Sequence, residues 1–176
     1  MPALSSRRIL RAFRVGDAAH THHDRGRALE DLMIYMLCRI PGVRFLVRDS
    51  RVAAGSEEID LVFWNDRLPN GLAYLPNILV FECKNWTAPV DSAAVAFFAN
   101  KVRVRRLECG FLIAANGITG DVEDLSAAHR HVDTAFIRDN TRLIVLDRAE
   151  IQELSSTGDL SRLIQTKIAQ IVLRAR

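Results

Sequence analysis

Residues 78–86 read Ile78-Leu79-Val80-Phe81-Glu82-Cys83-Lys84-Asn85-Trp86. Four apolar residues open a short β-rich run, and two charges interrupt it two positions apart. In a strand, residues i and i+2 share a face. Glu82 and Lys84 therefore project to one side, and Phe81 and Cys83 to the other. Burying either charge is costly unless it is paired or metal-bound. The preceding run, Glu58-Ile59-Asp60-Leu61-Val62-Phe63-Trp64-Asn65, repeats the pattern, with Glu58 and Asp60 on one face and Ile59, Leu61 and Phe63 on the other. If the two runs pair, a carboxylate from each converges beside one lysine. Hard divalent cations such as Mg²⁺ take oxygen donors of this kind, and a nearby ammonium can hold or activate an attacking water.

Outward from this core the chain reads as alternating elements. Leu29, Leu32, Met33, Met36, Leu37 and Ile40 form one apolar helical stripe, with Asp24 as its cap and Pro41-Gly42 as its stop. Strand-like runs cover 43–52, 58–65 and 78–85, with a turn after Gly55-Ser56 and a turn-rich loop over 66–77. Residues 91–108 predict a helix, although Lys101-Val102-Arg103-Val104-Arg105-Arg106 also alternates like a strand. Residues 109–117 read as a buried parallel strand, 121–138 as a helix capped near Asp121, and 141–148 as a last strand. The C-terminal segment predicts a helix in two pieces, broken near Gly158. The order α-β-β-β-α-β-α-β-α predicts an α/β fold with a mixed central sheet and helices on both of its faces.

The chain has 176 residues, 49% apolar and 26% charged, which suits one globular domain and excludes wholesale disorder. No apolar stretch approaches the ~20 residues of a membrane span. The N-terminus lacks a secretory pattern, and the three scattered cysteines form no CxxC pair, so a reducing, cytoplasmic setting is expected. Net charge is +3, and residues 1–30 carry all of that excess through Arg7, Arg8, Arg11, Arg14, Arg25 and Arg27. A second basic cluster is Lys101, Arg103, Arg105 and Arg106. Basic patches on a balanced body suit a polyanion. Residues 1–24 read as a basic N-terminal arm, 25–150 as the core, and 151–176 as a helical extension of the same domain. His20, His22, His23 and Asp24 read as solvated residues of that arm. His129 and His131 read as core or surface residues, and no cysteine has a histidine placed to make it a nucleophile. Asn116-Gly117-Ile118-Thr119-Gly120 lacks the ending of a phosphate-binding loop, so no nucleotide cofactor is implied.

Glu58-Ile59-Asp60 followed by Glu82-Cys83-Lys84, with Gly26-Arg27-Ala28-Leu29-Glu30 on the leading helix, resembles the PD-(D/E)XK, or restriction-endonuclease-like, nuclease superfamily. Within it the chain is most similar to the Mrr-type restriction endonucleases, over about residues 25–150. The resemblance implies a restriction-endonuclease-like core and metal-dependent hydrolysis of DNA phosphodiesters, in bacterial defence or DNA processing. It implies Asp60, Glu82 and the Cys83 backbone carbonyl as ligands of Mg²⁺, with Mn²⁺ as a substitute. Lys84 would position or activate the water, and Glu30 would act from the helix. Glu58 shares Asp60's face and is either an accessory ligand or a bystander. Asn85, Trp86, Lys101, Arg103, Arg105 and Arg106 are the candidate contacts to nucleic acid, expected to be double-stranded DNA. A double-strand break would require a homodimer, and recognition could come from a partner protein. The alternatives are a structure-selective nuclease or RNase on the same core, an effector dormant until assembled, and a binding module that kept the fold.

Overall fold

The computed structural model describes residues 1–51, 58–120 and 128–174. Strands β1 (Val43–Arg51), β2 (Glu58–Asn65), β3 (Ile78–Lys84), β4 (Cys109–Ala114) and β5 (Arg142–Leu146) form one sheet, in that spatial order. β1, β2 and β3 run antiparallel, while β3, β4 and β5 run parallel. Antiparallel neighbours need only a turn or loop between them, whereas parallel ones need a crossover. Here the helices α3 (Ser92–Val104) and α4 (Ala128–Asp139) lie in the two crossovers. The flanking helices are α1 (Ser6–Ala18), α2 (His22–Leu37), α5 (Arg148–Gln152) and α6 (Thr157–Arg174). This is the mixed, helix-flanked α/β sheet that the sequence predicts.

Side-chain alternation sets the faces. β2 alternates between half-buried and buried residues along its length, and β4 is buried throughout. Phe45, Phe63, Phe81 and Phe111 form a row across the four strands β1 to β4, with ring centroids 5.6, 5.3 and 4.5 Å apart, the first two pairs edge-to-face and the last stacked. Aromatic pairs at such spacings add about 0.5–1.5 kcal/mol each beyond their buried area. The loop after β2 is pinned by Asn65, whose buried amide donates to the carbonyls of Leu72, Leu75 and Pro76. Gly110 lets α3 lie close on β4. A Cβ there would meet Val102 Cγ2 at 2.6 Å and Phe98 Cζ at 2.9 Å. Gly110→Ala is therefore expected to destabilise the fold by about 1–3 kcal/mol, read as a lower urea midpoint at unchanged slope.

Three expectations need correction. Residues 1–24, read as a basic arm, pack against the rest of the domain. Ile9, Phe13 and Gly16 bury one face of α1, which packs on α2, and Leu4 N–H donates to the Ser155 carbonyl at 2.8 Å. Gly16, by lacking a Cβ, lets α1 lie close on Asn85 and on Arg25 and Ala28 of α2. The α2 helix starts a turn earlier than Asp24 suggests. Thr21 is its cap, accepting the Asp24 N–H at 3.0 Å, and Asp24 sits in the first turn. The C-terminal break falls at residues 153–156 rather than at Gly158, which is buried inside α6. Asp121, Gly55, Ser56 and Glu57 lie outside the described residues. No described helix is long and apolar enough to cross a membrane.

Candidate active site

The site forms where β2 and β3 part. Their ladder ends at the pair Leu61–Phe81. One step on, the Cys83 N–H is taken by the Asp60 side chain, which accepts it on Oδ2 at 2.7 Å. A carboxylate thus stands where a backbone carbonyl would continue the sheet, and the gap opens a cleft. That cleft has a volume of about 500 Å³, and its lining includes His23, Gly26, Glu30, Glu58, Asp60 and Lys84. A larger cavity of about 640 Å³, between α4, β5 and α6, holds none of the motif residues.

Glu82 and Lys84 share a face as the strand period requires, and Lys84 Nζ lies 2.8 Å from Glu82 Oε1. A second lysine completes the arrangement. Lys101 Nζ donates to Glu82 Oε1 and Oε2 at 3.0 and 2.8 Å, and to the Glu58 backbone carbonyl at 2.6 Å. Lys101 is only 4% exposed. The reading of Lys101 as a phosphate contact is therefore corrected: its ammonium is spent inside the protein. α3 presents this one position inward, while Arg103 and Arg106 on the same basic run stay exposed.

The charges explain each other's titration. Burial, then the neighbouring Glu82 charge, pushes the Asp60 carboxyl up to about 7, against a weaker pull from the Cys83 N–H and Lys84. Burial alone would lower Lys84, but Glu82 and Asp60 outweigh it and hold the ammonium above its usual range. Lys84 is thus a cationic donor. Glu30 projects from α2 toward the same cleft. Burial raises its carboxyl, and Arg48 at 3.1 Å and Arg27 at 3.5 Å counter that rise from one side. Gly26 leaves room here: a Cβ at that position would lie 3.8 Å from Glu30 Oε1 and 3.9 Å from the Cys83 carbonyl oxygen.

Asp60, Glu82 and the Cys83 carbonyl offer hard oxygen donors. Among the described residues, no three or more His, Cys, Asp or Glu side chains group closely enough to hold a metal ion by themselves. Two carboxylates and a carbonyl suit an ion that keeps several waters in its shell, as Mg²⁺ does. Glu58 lines the cleft, so it stays in reach of the site. The Cys83 thiol is buried, and burial pushes its pKa well up, so it is inert.

The remaining candidates divide. Trp86 is half-buried on the cleft wall, 5.8 Å from Lys84 Nζ to its ring centre. Asn85 also lines the cleft, but it is buried and bonded inward, to the Arg25 carbonyl and to Arg148. Arg103 pairs with Asn100, and Arg105 with the Lys101 carbonyl. The sequence reading missed Arg48, Arg27 and the inward role of Lys101. Arg48 and Lys101 have their partners on other elements, where no local spacing signals them, whereas Arg27 lies three positions before Glu30 on α2, a spacing the sequence does show. His23, read as a solvated arm residue, faces the cleft from the first turn of α2.

No curated protein matches the chain. The family model of the Mrr catalytic domain, described as a restriction endonuclease, matches residues 25–155, well over half of the 176. The match runs from the start of the apolar part of α2 through the whole sheet. It contains Glu30, Asp60, Glu82 and Lys84 and leaves α1 outside. With that match, the mixed sheet and the paired carboxylate strands, the chain belongs to the Mrr-type restriction endonuclease family and carries a nuclease domain.

Proposed function

We propose that this chain is a Mg²⁺-dependent endonuclease that hydrolyses DNA phosphodiesters, cutting at the end of β3. The observation that carries the reading is the Asp60 carboxylate. It is held by the Cys83 N–H across from the Glu82–Lys84 pair, and it makes no ion pair of its own among the described residues. Asp60, Glu82 and the Cys83 carbonyl would hold the ion. Bound there, Mg²⁺ supplies positive charge against the phosphate oxygens. Lys84 donates from its ammonium and orients the attacking water toward phosphorus. Lys101 fixes the Glu82 carboxylate in one rotamer. Glu30, held by Arg48, gives the opposite wall of the cleft a fixed acceptor for a water. Trp86 offers a flat apolar surface beside the sugar–phosphate chain. Cutting both strands of a duplex takes two such sites, hence two copies of the chain.

The test is a cleavage panel on the purified chain. Substrates are supercoiled plasmid, linear duplex, single-stranded DNA, a four-way junction and RNA, each with Mg²⁺, with Mn²⁺ and with EDTA. Cutting of duplex DNA that EDTA stops is the expected result. A preference for the junction or for RNA would replace the substrate and keep the chemistry. Absence of cutting on every substrate would overturn the reading.

The exposed arginines support a polyanionic substrate. Arg7, Arg11 and Arg14 recur at i, i+4 and i+7 on the solvent side of α1. Each phosphate neutralised by a basic side chain contributes about 0.9 to the slope of log K against log salt. Replacing all three with Gln is expected to flatten that slope by about 1–3 in an anisotropy titration of a short DNA duplex in EDTA.

A further inference from the structure

The acidic side chains around the cleft are unequally compensated. Glu82 holds Lys84 on Oε1 and Lys101 on both oxygens. Glu30 presents Oε2 to Arg48 and Arg27, and Asp49 shares Arg27 at 3.2 Å. Asp60 alone among Glu30, Asp49, Asp60 and Glu82 touches no cationic side chain, and its partner is a backbone N–H.

Lys101 differs in kind from Lys84. It comes from α3 rather than from the motif strand, and its side chain is 5% exposed against 25% for Lys84. An ammonium has three protons to donate. Lys101 has three acceptors within 3.0 Å, the two oxygens of Glu82 and the Glu58 carbonyl. It has no donor left for substrate or water. It acts as a fixed unit of positive charge held on the Glu82 carboxylate.

Two-metal hydrolytic sites place their ions about 3.5–4 Å apart, sharing oxygen ligands. Here both oxygens of Glu82 hold Lys101, at 3.0 and 2.8 Å. The other flank, Glu30, is closed by Arg48 at 3.1 Å. A second divalent ion on either flank would sit against a protein cation, and like charges at such range repel strongly away from bulk water. We infer that Lys101 stands in the place of a second metal ion, so that the site takes one divalent ion per chain, at Asp60. The inference rests on the metal-dependent reading above and sets the number of ions for that site.

The experiment counts Mn²⁺ bound per chain, from the electron paramagnetic resonance signal of the free ion during titration. The wild-type chain is expected to bind one, and Lys101→Arg, which keeps the charge, also one. Lys101→Gln removes the charge and is expected to bind two. Two ions on the wild-type chain would overturn the inference, as would a natively folded Lys101→Gln that binds only one. If Lys101→Gln does not fold, the other two counts decide: one ion on each supports the inference, and two on either overturns it. Two ions on the wild-type chain would leave the metal-dependent nuclease reading standing. No bound ion at all would overturn both that reading and the inference.

Discussion

Asp60→Asn is expected to abolish cleavage and, at the same time, to make the metal-free protein more stable. The amide keeps an oxygen for the Cys83 N–H bond but no longer carries a charge. The loss of activity should reach about 10³-fold or more, because residues that act on one reacting centre fail as a unit. The stability gain follows from the titration of Asp60. Its carboxyl rises from an ordinary 3.8 to about 7 in the fold, through burial and the Glu82 charge. The folded state therefore holds that proton more tightly than the unfolded chain does. Folding is most favoured, as far as this group is concerned, below about pH 4. It loses stability as pH rises from there to about 7, and the loss is complete above that. Asp60→Asn removes this loss. In EDTA its melting temperature should match the wild type near pH 4 and exceed it by about 3–10 °C at pH 8, corresponding to about 1–3 kcal/mol. A thermal melt series across pH checks this. An Asp60→Asn protein that melts below the wild type at pH 8 would show that the carboxylate stabilises the metal-free fold.

Glu82→Ala should fail in the opposite sense, losing activity and stability together. Glu82 is the shared acceptor of two ammonium ions, and Lys101 keeps only a backbone carbonyl once the carboxylate is gone. Removing one partner of a buried pair leaves an uncompensated charge and costs about 3–5 kcal/mol. For a chain of this size that lowers the melting temperature by about 10–15 °C. Replacing both partners by apolar groups of similar size removes the orphaned charge. Glu82→Leu combined with Lys101→Met should therefore recover most of the loss while staying inactive. A denaturant titration of the single and double variants measures the coupling. A double variant as unstable as Glu82→Ala would mean that the pair contributes shape rather than charge.

The contrast between these two variants shows what the sequence makes legible. The period-2 faces of β2 and β3 are local, so the convergence of Asp60, Glu82 and Lys84 can be read from two short runs of chain. The parallel half of the sheet is legible for the same reason, since β4 is an uninterrupted apolar run between two segments with a helical pattern. Lys101 was not legible. Its run alternates like a strand and repeats like a helix, and its partner lies nineteen positions back on another element. The α1 helix was obscured by its own charge. With Ile9 and Phe13 as its fully buried side chains, and a glycine completing the contact, its basic stripe dominates the pattern. Glu30 was placed on the cleft, but its clamp by Arg48 depends on how β1 crosses α2, which no spacing along the chain encodes.

Asp60, Glu82 and Lys84 are proposed to form one metal-dependent hydrolytic site. Its most direct test is nicking of supercoiled plasmid under single-turnover conditions by the wild type, Asp60→Asn and Lys84→Ala, each titrated with Mg²⁺. Mg²⁺-dependent nicking is expected of the wild type, with a loss of about 10³-fold or more in both variants and Asp60→Asn folded as well as the wild type. Nicking that persists in a folded Asp60→Asn, or that proceeds in EDTA, would contradict the proposal.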